Sequence, residues 1–107
     1  MKNNKQGYDQ SATQLVAALA NKTVSSVELV EEVISRIERL DEKINAVVVR
    51  DFARARMAAK AADRAIAQGQ RLPLLGLPIT VKESFNIAGL PTSWGSPEYK
   101  DWYPDVV

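Results

Sequence analysis

Apolar and polar positions recur along the chain with two different periods, and each period predicts an element. Residues 1–10 are mainly polar and predict a flexible N-terminus. Ser11-Ala12-Thr13-Gln14 has the form of a capping box, in which a serine and a residue three positions on satisfy each other's backbone donors. A short helix should follow, burying Leu15, Val16 and Leu19 with Ala18 at the margin. Asn21 is its expected stop, because asparagine tolerates the left-handed conformation at a helix end. Ser25-Ser26-Val27-Glu28 is a second box. Behind it Val30, Val33, Ile34, Ile37 and Leu40 recur at three and four residues, which predicts one apolar helical stripe. Glu31, Glu32, Ser35, Arg36 and Glu38 fall mostly on the other side, and the helix should fade near Leu40 or Asp41.

"NAVVVRD" is short and β-branched, which predicts an extended segment. Asp51 is then the expected cap of a third helix, "FARARMAAKAADRAIAQG", ended by Gly69. Alanine dominates this helix and is the best helix former. Ala55, Ala58, Ala59, Ala62 and Ile66 form a narrow seam onto which another element can pack closely. Arg56, Lys60 and Arg64 make a basic stripe on it. A solvated face is the reading preferred over a nucleic-acid contact, since no aromatic residues interleave with the stripe.

After the connector "QRLPLLG" the period changes to two. Leu77, Ile79 and Val81 alternate with Pro78, Thr80 and Lys82, the pattern of a strand with Pro78 near its start. Alternation places Lys82 on the face of Thr80 and Glu83 on the opposite one. The plain reading of Lys82 is that the strand ends there and the ammonium group points into water. The remainder carries the turn signals Gly89-Leu90-Pro91 and Trp94-Gly95-Ser96-Pro97 but no period, so it reads as a long loop, and such loops are often functional.

Composition narrows the chemistry. The 107 residues suit one small domain, and 46% apolar and 25% charged residues are ordinary for a globular protein. A net charge of +1 gives no bulk attraction to nucleic acid or an anionic membrane. No run is long and apolar enough to span a bilayer, and the polar start carries no secretory signal, so the expected compartment is the cytoplasm. There is no cysteine and no histidine. That removes thiolate nucleophiles, thiolate or imidazole metal sites and a Ser-His-Asp triad, and no cofactor or metal is expected. Any catalytic base in this chain is a carboxylate, a tyrosine or a lysine.

Helices alternating with extended segments place the chain in the α/β class. Two strand candidates are too few to cover the apolar "LPITV", so the chain is expected to be the front of something larger. The residues that carry this further are Gly76-Leu77-Pro78, Ile79-Thr80-Val81-Lys82-Glu83, Ala88-Gly89-Leu90-Pro91-Thr92 and Gly95-Ser96. In that order and spacing they resemble the first block of the amidase signature family, and "SSVELVEEVISRIERLDEKINAVVV" resembles the helices preceding it. The resemblance runs from about Ser11 to the last residue. It implies the N-terminal helices and first strands of an α/β/α layered fold with a mixed sheet, so that residues 11–107 are a truncated part of one amidase domain.

The same resemblance implies that Lys82 is the base of a Ser–cis-Ser–Lys triad acting on a small carboxamide substrate. A serine hydroxyl needs an adjacent base, and a lysine desolvated at the end of a buried strand can be neutral enough to serve. The family's two serines lie further along, in a glycine- and serine-rich stretch. Ser84, Ser93 and Ser96 are in no such context, so the 107 residues alone are expected to be inactive. Glu83 receives no role. A second reading makes the chain a non-catalytic interaction module or a subunit fragment, including one of an amidotransferase A-type subunit. Its strand and alanine seam would then dock on a complementing chain or a second copy. The wording "SFNIAGLPTSWGS" leans toward the free amidases.

Overall fold

A computed structural model of the chain describes residues 9–105. The flexible N-terminus expected at residues 1–10 lies almost entirely outside them. The described residues contain three α-helices, α1 (Ala12–Ala20), α2 (Ser26–Leu40) and α3 (Phe52–Ala67), with single 3-10 turns at Asp41–Lys43 and Pro97–Tyr99. None of these helices is long and apolar enough to cross a membrane. The chain divides into two units. One holds the described residues up to Ile44 together with Asp51–Pro78. The other holds Asn45–Arg50 and the described residues from Ile79 onward.

In the helical unit the local signals act as expected at both boxes. Ser11 Oγ accepts from the Gln14 amide at 3.1 Å while Gln14 Oε1 accepts from the Ser11 amide at 2.8 Å. Ser25 and Glu28 repeat the exchange at the start of α2. The third cap differs. Asp51 makes no side-chain cap, and its carboxylate faces Arg54 at 3.5 Å instead. The stops also hold, with one change of residue. Asn21 stays right-handed, and Lys22 takes the left-handed conformation at φ 61°. Thr23 then donates to the Ala18 carbonyl and Lys22 to that of Leu19, the bond pair of a Schellman motif. Gly69, at φ 91°, closes α3 with the same pair, Gln70 to Ala65 and Gly69 to Ile66.

Packing selects a different stripe on α2 from the expected one. Leu29, Val30 and Ile34 are buried and Ile37 is half-buried, whereas Val33 and Leu40 are exposed. Two clusters result. Leu19, Leu29 and Ile66 meet under Leu15, Val24 and Leu75; Val30, Ile34 and Ala59 meet with Val27, Phe52 and Ala55 alongside. Of the alanine seam, Ala59 is buried, Ala55 and Ala62 are half-buried and Ala58 is exposed, so Ala59 and Ala55 are the small residues of α3 in the second cluster. The basic stripe is exposed, and Arg56 pairs with Glu31 at 2.6 Å.

Long-range polar contacts complete this unit. A helix start leaves its first amide donors without intrahelical partners. In α2 the Asp63 carboxylate of α3 accepts two of them, Ser26 N–H at 2.7 Å and Val27 N–H at 3.1 Å. The buried Ser26 hydroxyl donates to the Gly76 carbonyl at 2.7 Å, which moors the turn that precedes the Lys82 segment. Gly76 sits at φ 88°, and a Cβ there would meet Leu19 Cδ1 at 3.3 Å, so both conformation and space call for glycine. Arg71 donates to the carbonyls of Ile66 and Ala20, reaching the C-terminal ends of α3 and α1 together.

The second unit corrects the expectation of a sheet. No strand forms among the described residues. The segment 77–81 runs without ladder bonds, and Ile79 is 70% exposed. An extended segment becomes a strand only when a neighbour accepts and donates along it, and an isolated pairing is marginal in water. "NAVVV" does not supply that neighbour. Within the unit a pair of backbone bonds joins distant stretches, Thr92 N–H to Trp102 O at 2.9 Å and Gly89 N–H to Pro104 O at 3.3 Å. Thr92 and Pro104 are buried at this crossing.

Candidate active site

Lys82 lies within the second unit, at the rim of an open cavity of about 370 Å³ lined by Ala46, Val48, Lys82, Glu83, Ser84, Ser93, Trp94 and Gly95. The period-two segment stops there. The Phe85 amide donates to the Lys82 carbonyl at 3.0 Å and turns the chain. This turn overrides the strand alternation, so Lys82 and Glu83 both line the cavity instead of pointing to opposite faces. Lys82 is exposed, and its ammonium group makes no ion pair among the described residues. The buried strand end expected to desolvate it is therefore not formed within this unit.

Ser93, Trp94 and Gly95 contribute a tight turn to the cavity lining. Trp94 and Gly95 both have positive φ, 52° and 77°, and the Ser96 amide closes back on the Ser93 carbonyl at 2.9 Å. The Trp94 ring stands against Tyr99 and Trp102, with centroids at 5.6 and 5.7 Å in tilted arrangements. Sequence reasoning missed the contact that joins this wall to the lysine segment. Glu83 Oε1 accepts from both the Ser93 amide, at 2.7 Å, and the Ser93 hydroxyl, at 2.9 Å. The signal available was a serine immediately before the Trp94-Gly95 turn, a position where a hydroxyl organises its own turn. Its carboxylate partner lies 10 residues away and has no local signature.

The cavity thus gathers one amine, one carboxylate and two hydroxyls against an aromatic wall. Ser93 is a poor candidate for the nucleophile served by Lys82, because its hydroxyl donates to Glu83 and makes no hydrogen bond to Lys82 among the described residues. Ser84 is exposed, and Ser96 is not among the lining residues. What the arrangement presents is a solvent-facing amine beside a carboxylate that is bonded to a neighbouring serine.

The comparisons with known proteins fall on this same region. The Amidase family profile matches residues 28–106, which include most of α2, all of α3 and the whole cavity. The chain therefore belongs to the amidase family. Its relatives include a glutamyl-tRNA(Gln) amidotransferase subunit from Psychrobacter cryohalolentis, 43% identical over 86 residues, which cover 80% of this chain and 17% of that protein. The fatty-acid amide hydrolase 2-A of Danio rerio is 42% identical over 93 residues, covering 79% of this chain and 18% of the relative. The corresponding glutamyl-tRNA(Gln) amidotransferase subunit from Geobacter metallireducens is 36% identical over 97 residues, covering 91% and 20%. The chain spans about a fifth of the length of these curated relatives. Amidotransferase subunits and an amide hydrolase align at similar identity, so the lean toward free amidases gains no support from them.

Proposed function

We propose that these residues form the base-bearing part of a serine amidase that hydrolyses a carboxamide to an acid and ammonia or an amine. The observation that carries this reading is the position of Lys82, on a braced loop at an open cavity inside the segment matched to the amidase family. The resemblance assigns Lys82 to a Ser–cis-Ser–Lys triad. In its neutral form the amine takes the nucleophilic serine's proton through the bridging serine, and the serine oxygen adds to the amide carbon. The ammonium group then returns the proton to the leaving nitrogen as the C–N bond breaks. Water releases the acid from the acyl-serine by the same exchange.

Both serines and the oxyanion donors would come from residues other than these 107, and so would the cover that desolvates Lys82. Ile79, Val81 and Phe85 support that view, since all are exposed apolar residues flanking the lysine. The 107-residue chain alone is accordingly proposed to be inactive. The setting is proposed to be cytoplasmic, with a small-molecule amide as the partner and no membrane or nucleic acid involved. The same exposed residues favour a second reading, in which the chain is a subunit fragment that docks on a complementing chain. That the amidotransferase relatives are subunits points the same way.

The test joins this chain to the remaining part of an amidase domain and follows ammonia release from aliphatic and aromatic amides. Lys82→Ala should lower the rate by roughly 10⁴-fold, the scale of losing a triad member. Lys82→Arg should be nearly as harmful, because arginine stays protonated. Lys60→Ala, on the exposed stripe of α3, should change little. Amide hydrolysis by the 107 residues alone, indifferent to Lys82→Ala, would overturn the proposal. A defined hetero-complex with no hydrolysis in any joined form would favour the docking reading.

A further inference from the structure

We infer that Glu83 is a positioning residue for Lys82, acting as a latch between the lysine segment and the hydrogen-bonded turn at Ser93 that lines the same cavity. This rests on the amidase reading above. The residues before Lys82 run without ladder bonds, with Ile79 and Val81 exposed, so they do little to fix where the amine points. The residues around Ser93 are held firmly. Thr92 is 2% exposed with its amide bonded to Trp102, and Ser93, Trp94 and Gly95 form a closed turn. Glu83 connects the two, since one carboxylate oxygen accepts from both donors of Ser93 at 2.7 and 2.9 Å. Hydrogen bonds to an ionised acceptor are about twice as strong as neutral ones, and two on one oxygen fix direction as well as distance. The latch therefore sets the backbone at residue 83, and with the Phe85–Lys82 turn bond it sets the origin of the adjoining lysine side chain. A general base displaced by about 1 Å can cost about 100-fold in rate.

Two measurements test this. In the 107-residue chain, hydrogen exchange read by NMR should show the Ser93 amide exchanging at least about tenfold faster in Glu83→Ala, as expected for one lost bond of this kind. Unchanged exchange would mean that no latch exists. In the chain joined to the remaining amidase domain, Glu83→Ala should lower kcat about 100-fold with KM unchanged. Glu83→Gln keeps an acceptor oxygen for both donors and should stay within about tenfold of the parent. A glutamine variant as slow as the alanine variant would assign the effect to charge and overturn the latch. Full activity of Glu83→Ala alongside inactive Lys82→Ala would refute positioning while leaving the role of Lys82 intact. Full activity of Lys82→Ala would instead remove the amidase reading on which the inference stands. Far-UV circular dichroism accompanies each variant, and loss of the helical signal in Glu83→Ala would contradict an effect confined to the loop.

Discussion

The helical unit and the loop unit are built from residues of similar apolarity, yet they hold together by different means. In the helical unit, apolar side chains from three helices and a turn meet in two clusters, and the polar groups at helix ends find partners. In the loop unit, Ile79, Phe85, Trp94 and Tyr103 are exposed, and order comes from backbone bonds at one crossing and from the Glu83 latch. Helices satisfy their own backbone internally and need a neighbour only for one face. A segment with a strand pattern needs neighbours for its backbone as well, and without them it stays exposed. The helical unit can therefore form from its own residues. The loop unit, which carries Lys82, leaves much of its apolar surface exposed instead.

Substitution of matched apolar residues in the two units should show the largest contrast. Leu19 is 1% exposed at the centre of the first cluster, and Leu19→Ala should destabilise the helices by about 3 kcal/mol. Ile79→Ser in the loop unit should change stability by less than about 0.5 kcal/mol, as is usual for exposed positions. Urea unfolding followed by far-UV circular dichroism compares them, and equal effects would erase the distinction.

The next effect is polar. Asp63→Ala leaves the Ser26 and Val27 amides without an acceptor at a partly buried helix start, and should cost about 2 kcal/mol. The loss should be seen as a lower unfolding midpoint together with faster amide exchange confined to the start of α2. Exchange that rises equally in the loop unit would show the two units to be one cooperative structure.

Lys22 should move stability the other way. A non-glycine residue in the left-handed region carries a conformational cost, so Lys22→Gly should stabilise α1 by about 1 kcal/mol. A rise in the thermal midpoint checks it, and a fall would mean that the lysine side chain contributes more than the strain it bears.

The smallest effect belongs to the Arg56–Glu31 pair, in which both side chains are about half exposed. The hydrogen bond from Arg56 and its charge hold the Glu31 carboxyl below its ordinary range. A group whose pKa is lowered on folding stabilises the fold above its unfolded value, and that contribution fades as pH falls through the folded one. Arg56 is raised by the same bond, which leaves its charge unchanged at any working pH. Arg56→Ala should therefore lower the thermal midpoint slightly at neutral pH, with the difference vanishing in acid and in about 1 M salt.

Much of this was written locally. Both serine boxes and the Gly69 stop act across a few residues of one chain segment, so short patterns determine them. The amidase resemblance was legible for a related reason: its residues form one contiguous block from Gly76 to Ser96. Tertiary structure alone decided the rest. Period 3.6 allows several faces of α2 to be apolar, and only packing against α1 and α3 chose Leu29 over Val33. Asp63 reaches Ser26 across 37 residues, Ser26 reaches Gly76 across 50, and Arg71 reaches Ala20 across 51. Glu83 reaches Ser93 because the chain turns at Lys82, where the alternating pattern alone would have sent it to the other face. A pattern of side chains states which surface a segment can bury, whereas its partners are supplied by the rest of the fold, and a strand without a partner remains only a pattern.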